Sequence, residues 1–95
     1  MMEFLVEIAV RLPPDMPEDR IAALRAAELR RGRELAATGV IARIWRVPGT
    51  TDNVGIWVAA DATELHSVLS GLPLFPWLRV KITALAIHPI EEDRQ

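Results

Sequence analysis

Glu28 is the residue whose chemical type least fits its position in the sequence. The stretch Glu18–Thr38 has the spacing of a helix, and its apolar stripe contains Ile21, Leu24, Leu35 and Ala36. Glu28 lies seven residues after Ile21 and seven before Leu35. Because seven residues bring a helix back to within about 20° of the same direction, these three side chains face one way. A carboxylate on a core-facing stripe is costly unless it is paired, hydrogen-bonded or neutralised. Glu28 is therefore a candidate general base in a pocket.

Gly32 lies one turn further along the same helix face, and the helical pattern leaves two interpretations open for each residue. The glycine either leaves a gap beside the carboxylate or allows close packing of the helix against a sheet. Glu28 is either a base or an ordinary carboxylate that reaches Arg25 or Arg31, three residues to either side.

The composition is that of one globular domain, which we expect to span residues 1–95. Of the 95 residues, 51% are hydrophobic and 25% are charged, which is too apolar for a disordered chain. The net charge is −2 and there is no long basic run, so nucleic acid is not an expected partner. No apolar stretch reaches the roughly 18 residues that a membrane span needs. We expect a soluble, cytoplasmic protein without a signal peptide.

Metal and nucleophile chemistry find little support in the sequence. The absence of cysteine excludes disulfides, thiol catalysis and thiolate metal sites. His66 and His88 are far apart and lack a matching carboxylate spacing, so no metal site is predicted. No Ser-His-Asp arrangement stands out either.

Hydrophobic periodicity predicts four strands and two helices. The predicted strands are 4–12, 40–47, 53–60 and 77 or 78 to 88, and the helices are 18–38 and 62–70. Asp15 with Glu18, and Asp61 with Glu64, have the spacing of capping boxes, and Gly39 is placed to end the first helix. The charged stretch 91–95 reads as a tail. The order β-α-β-β-α-β predicts an α+β, ferredoxin-like fold with two helices on one face of an antiparallel sheet.

The other face of such a sheet would be bare and too apolar for a lone monomer. The residues expected there are Leu5, Ala9, Trp45 or Ile44, Trp57 and Leu85. Pairing of two sheets would cover this surface, so we expect a homo-oligomer.

Short motifs in colinear order make the chain resemble the muconolactone isomerase family. The motifs are Leu12-Pro13, Asp15-Met16, Glu28, Trp45-Arg46, Gly49, Asn53, Leu65-His66, Leu72-Pro73-Leu74-Phe75-Pro76 followed by Trp77, and His88-Pro89. The resemblance covers nearly the whole chain, and the proline-bounded segment 72–76 is its most specific piece.

The resemblance implies an architecture and an activity. Members of that family are dimeric α+β barrels that assemble into larger rings, often decamers. They move the ring double bond of muconolactone to give the enol-lactone of 3-oxoadipate, a step in catechol breakdown, with no metal or organic cofactor. Glu28 would remove the ring proton and return it to another carbon.

The resemblance also suggests which residues bind substrate. Asn53, His66 or the indole N–H of Trp45 could stabilise the negative charge on the lactone oxygen. Arg46, with Arg43 as the alternative, suits the carboxylate of the substrate's acetate arm. Phe75 is a candidate pocket wall or lid.

Departures from the family pattern leave the substrate open. Glu7 stands where a basic residue is common, Thr50-Thr51 replaces His-Tyr, Ala42 replaces a polar or basic residue, and Ile87 replaces an arginine. A lactone dehalogenase or another enzyme on the same scaffold, or a ligand-binding barrel without catalysis, are the alternatives.

Overall fold

Four antiparallel strands form one sheet in the order β2-β3-β1-β4 in the computed structural model, which describes residues 1–94. The elements are β1 (Met2–Val10), α1 (Glu18–Ala37), β2 (Ile41–Arg46), β3 (Asn53–Ala59), α2 (Ala62–Ser70), β4 (Leu78–Leu85) and α3 (Pro89–Glu92). A 3-10 turn, Phe75–Trp77, precedes β4. The predicted small α+β fold with an antiparallel sheet is confirmed, with one additional short helix. None of the helices in the described residues is both long and apolar enough to cross a membrane.

The core lies between the sheet and the two longer helices. Register pairs Phe4 with Trp57 and Val6 with Gly55, so these residues share one face of the sheet. Leu35 of α1 and Leu65 of α2 join them in one buried cluster. Both helices therefore cover the same face, and burying this apolar surface is the main force that holds the layers together.

The face of the sheet opposite the helices is called here the outer face, and the prediction that Trp57 lies on it is wrong. Its side chain is 1% exposed and packs in the core, because its register partner Phe4 points toward the helices. The outer face instead carries Ile56 opposite Leu5, and Trp45 opposite Val54. Of the two alternatives given for β2, Trp45 rather than Ile44 lies there. The outer face remains apolar after this correction.

The two helix starts differ from one another. Asp61 accepts a hydrogen bond from the Glu64 N–H at 2.8 Å, so the second capping box is confirmed. The first box is wrong, because Pro17 occupies the N-cap position and no side chain caps α1. The Met16 N–H donates a hydrogen bond to the Pro13 carbonyl in a turn that contains Asp15, so the helix begins after Asp15.

The ends of the last elements also differ from prediction. Gly39 ends α1 with a positive φ of 85°, as expected. Strand β4 ends at Leu85, three residues before His88. The Nδ1 of His88 accepts a hydrogen bond from the Ile90 N–H at 3.0 Å and starts helix α3, so part of the predicted tail is helical. Gln95 lies outside the described residues.

Candidate active site

A pocket of about 360 Å³ lies between α1 and the strands β2 and β3. A second pocket of about 250 Å³ opens beside it. The residues that line both are Ile8, Glu28, Leu29, Arg46 and Asn53. Apolar side chains make up most of the first pocket, among them Ile41, Ile44 and Leu72. Glu28 thus lies at the junction of two adjoining spaces with few polar groups around it, which is the arrangement of a small-molecule site.

The Glu28 carboxylate is half-buried and held by the backbone of a distant loop. Its Oε1 accepts a hydrogen bond from the Leu74 N–H at 3.0 Å. Burial raises the pKa of Glu28 above the ordinary value of 4.5, and the hydrogen bond from Leu74 acts in the opposite direction. A raised pKa lies closer to neutral pH, and a carboxyl group with such a pKa can both accept and return a proton.

The surrounding arginines do not neutralise Glu28. Arg31 forms its ion pair with Glu34, at 3.4 Å. No ion pair within residues 1–94 includes Glu28. The interpretation of Glu28 as a carboxylate paired with Arg25 or Arg31 is therefore not what the structure shows.

Gly32 leaves open space at the pocket. A Cβ built on Gly32 would meet no heavy atom within 4 Å among the described residues. Close helix–sheet packing is therefore not the reason for a glycine at this position. Gly32 and Glu28 both line the larger pocket, so the gap lies in the same space as the carboxylate.

Arg46 and Asn53 lie directly opposite each other where β2 and β3 meet at their hairpin. A guanidinium N–H of Arg46 donates to the Thr51 carbonyl at 2.5 Å, which ties the exposed side chain to the hairpin turn. The Oδ1 of Asn53 is buried and has no hydrogen-bond partner in the described part of the chain. One cation and one unsatisfied amide therefore accompany Glu28 in both pockets.

The three other predicted residues differ in their relation to the pockets. Trp45 lines the larger pocket, although its side chain projects from the outer face, 47% exposed, with the Arg43 guanidinium 5.0 Å from its ring centre. His66 is exposed on α2 and packs edge-on against Phe75, with ring centres 6.5 Å apart. Neither His66 nor Phe75 lines a described pocket that contains Glu28.

Two contributors to the pocket were missed from the sequence. The Leu74 N–H is a backbone group, so no side-chain motif predicts its contact with Glu28. Trp57 was expected on the bare face of the sheet, but it lines the larger pocket, and its Nε1 is buried without an acceptor in residues 1–94. The alternation of Asn53, Gly55 and Trp57 along β3 was the available signal, because residues two apart on a strand share a face.

A family model described as muconolactone delta-isomerase matches residues 2–91. The chain belongs to the muconolactone delta-isomerase family.

Individual relatives agree with this family assignment. The muconolactone delta-isomerase of Acinetobacter baylyi is 36% identical over 88 residues, which cover 93% of this chain and 92% of that protein. The muconolactone delta-isomerase of Cupriavidus pinatubonensis is 39% identical, with coverage of 93% and 96%. A crystal structure of muconolactone isomerase at 3.3 Å resolution is similar with a TM-score of 0.87 and 32% identity, covering 93% of this chain and 92% of that one. Family and fold are thus shared over nearly the full length.

Proposed function

We propose that this protein isomerises muconolactone, or a closely related unsaturated lactone, to the enol-lactone of 3-oxoadipate, with Glu28 as the group that moves the proton. The observation that carries the proposal is the half-buried Glu28 carboxylate at the junction of two pockets, with a raised pKa and no cationic partner in the described residues. The family relationship supplies the reaction class and the lactone substrate.

The proposed reaction is a 1,3-proton shift within the lactone ring. The Glu28 carboxylate removes the proton on the ring carbon γ to the carbonyl. The electron pair of that C–H bond moves through the ring double bond to the carbonyl oxygen and gives a dienolate. The protonated Glu28 then returns the proton to the α carbon, and the double bond is left between the β and γ carbons. One carboxyl group suffices if both carbons present the same ring face to it.

The bond to Leu74 assigns different tasks to the two oxygens of Glu28. Oε1 is engaged by the Leu74 N–H at 3.0 Å, so Oε2 is the oxygen available for the proton. The bond also restricts rotation of the carboxyl group. Holding the base in one orientation lowers the entropy cost of reaching the transition state.

Arg46 is the proposed partner of the acetate carboxylate of the substrate. It lines both pockets, and its planar guanidinium offers five donors, of which the hairpin turn uses only part. The alternative, Arg43, stacks on Trp45 on the outer face. The position of Arg46 favours it over Arg43 as the residue that orients the substrate.

Assembly through the outer face is part of the proposal. Trp45 is 47% exposed and Leu85 is 39% exposed on this face, next to the half-buried pair Leu5 and Ile56. Two chains that pair their sheets would bury this surface. We propose a homo-oligomer built from such dimers, a decamer as is common among members of the muconolactone isomerase family. We propose that it is located in the cytoplasm, in keeping with a chain that has no cysteine.

The test is proton NMR of muconolactone in D₂O with the wild-type protein and the Glu28→Gln variant. We expect conversion to the enol-lactone by the wild-type protein alone. Exchange of the ring proton without conversion would keep Glu28 as the base but point to a different lactone. No change with either protein would overturn the proposed isomerisation of muconolactone.

A further inference from the structure

Asn53, Gly55 and Trp57 form a row along the helix-facing side of β3. Their register partners on β1 are Ile8, Val6 and Phe4, which all point toward the helices. Asn53 and Trp57 both line the larger pocket, together with Glu28. The row therefore presents two polar side chains, separated by a residue without one, to the space in which the ligand would lie.

Both of these polar side chains carry an unsatisfied buried atom. The Nε1 of Trp57 and the Oδ1 of Asn53 have no hydrogen-bond partner within the described chain. An indole nitrogen only donates, so the Trp57 N–H lacks an acceptor. Unsatisfied buried polar groups are few in native proteins, and each calls for an explanation.

Gly55 explains where the indole N–H lies. A Cβ at Gly55 would be 3.3 Å from the Nε1 of Trp57, so the nitrogen end of the ring lies over the bare backbone of Gly55 and toward Asn53. The same Cβ would be 2.6 Å from the Arg43 carbonyl, so the close approach of β2 to β3 requires a glycine at residue 55 whatever the indole does. Packing does not account for the N–H, however, because a purely apolar side chain at residue 57 would leave no unsatisfied donor.

We propose that the Trp57 N–H is the hydrogen-bond donor to the lactone carbonyl oxygen of the substrate. This inference rests on the proposed function, in which negative charge builds on that oxygen when Glu28 removes the γ proton. A donor in a pocket that excludes water stabilises the dienolate more than the neutral lactone, so it accelerates the proton transfer. Trp57 takes no proton itself. Because its Nε1 is closed to water, the substrate must draw the edge of the indole toward the pocket as it binds.

The decisive variant is Trp57→Phe, which keeps an aromatic ring in the core and removes the five-membered ring that carries the N–H. The matched control is Trp77→Phe, since Trp77 is a half-buried tryptophan that packs against Arg20, with the guanidinium 5.5 Å from its ring, and lines none of the described pockets. We expect Trp57→Phe to lower kcat about 100-fold, the usual effect of removing one donor to a developing oxyanion. Its KM should change much less. A kcat within about twofold of the Trp77→Phe control would overturn the proposal.

A non-reactive ligand separates this inference from the proposed activity. The probe is the saturated lactone that carries the same acetate arm, labelled with ¹³C at the ring carbonyl. When the probe is bound to wild-type protein or to Trp77→Phe, its carbonyl infrared band should shift to lower frequency, and the tryptophan fluorescence should change. When the probe is bound to Trp57→Phe, its band should lie at higher frequency than in these two proteins. An identical band in all three proteins, or no binding of the probe to wild-type protein, would overturn the inference.

The two proposals fail in different ways. If the wild-type protein leaves muconolactone unchanged but the band of the saturated probe depends on Trp57, the donor is correct and the substrate is another lactone. If wild-type protein converts muconolactone and Trp57→Phe does so equally well, the isomerase stands and the role of Trp57 is wrong. The melting temperature of Trp57→Phe shows whether this variant folds. If it does not fold, the carbonyl band of the probe bound to wild-type protein still tests the donor. A band at the frequency of the free lactone would then reject the donor.

Discussion

The Oε1 of Glu28 lies 3.0 Å from the backbone nitrogen of Leu74 and accepts its hydrogen bond. These two residues are 46 positions apart in the chain. The contact joins the middle of α1 to the proline-bounded segment that precedes β4. It orients the carboxyl group and satisfies one of its oxygens, although burial still raises the pKa of Glu28. The site thus depends on a loop that contributes a backbone group rather than a side chain.

Glu28→Gln should abolish most of the activity and leave the fold intact. The amide oxygen of glutamine can accept the same bond from Leu74, but the side chain no longer binds a proton. We expect turnover to fall by about 10²–10⁴-fold, the range for loss of a general base. Steady-state kinetics and far-UV circular dichroism measure the two effects. A variant that keeps half of the wild-type kcat would exclude Glu28 as the base.

The pH dependence of kcat/KM should report the pKa of Glu28 in the free enzyme. Only the ionised carboxylate can remove a proton, so kcat/KM should rise with pH through the raised pKa, above 4.5. The measurement is a profile from acid to neutral pH in buffers of constant ionic strength. A limb centred at or below 4.5 would show that burial does not control this carboxyl group in solution.

The stability of the protein should depend on pH through the same residue. A folded-state pKa above the unfolded one stabilises the folded state at low pH, fully below 4.5, and this contribution is lost as the pH rises through the raised value. The melting temperature of Glu28→Gln minus that of wild-type protein should therefore increase with pH across this window. Calorimetry at several pH values measures it. A difference that stays constant with pH would contradict the raised pKa.

Filling the gap at Gly32 should block the pocket without unfolding the protein. Since a Cβ there meets no heavy atom within 4 Å, Gly32→Ala should fold well and gain up to about 1 kcal/mol of helix propensity. Gly32→Leu should project into the pocket and raise KM or stop turnover. Ala26→Leu, at an exposed position of the same helix, is the control. Full activity of Gly32→Leu would place the substrate elsewhere.

Arg46→Met should weaken substrate binding more than it slows the chemical step. Methionine keeps an unbranched apolar side chain but loses the charged donors, so KM should rise by about tenfold or more, as expected when a hydrogen bond to a charged group is lost. Arg43→Met tests the alternative arginine and should leave KM unchanged. If Arg43→Met gives the larger effect, the carboxylate of the substrate lies at the outer face.

A charge on the outer face should dissociate the assembly. Ile56→Glu places a carboxylate opposite Leu5 on that face, where pairing of two sheets would bury it at high cost. Light scattering after size-exclusion chromatography should show a smaller particle than wild type, and circular dichroism should show an intact fold. Ala26→Glu on the exposed side of α1 is the control. An unchanged particle mass would exclude this face as the interface.

The sequence by itself determined the order of the main elements and the candidate for the base. Alternation along β1 and the step of seven residues along α1 are local periodicities, and local periodicity sets which side chains share a face. For this reason the βαββαβ order and the position of Glu28 on an inward face could both be read directly. The second capping box was predicted correctly for the same reason, because Asp61 and Glu64 are near neighbours.

Only the tertiary structure decided what surrounds Glu28, the candidate base. The partner of Glu28 is a backbone amide 46 residues away, and whether Trp57 faces the helices or the outer side depends on its pairing with Phe4. The sequence also could not exclude Asp15 as a helix cap, since the turn at Met16 sets where α1 begins. Contacts between residues distant in the chain depend on strand register and loop path. Those are fixed by packing of the whole domain, so no local pattern contains them.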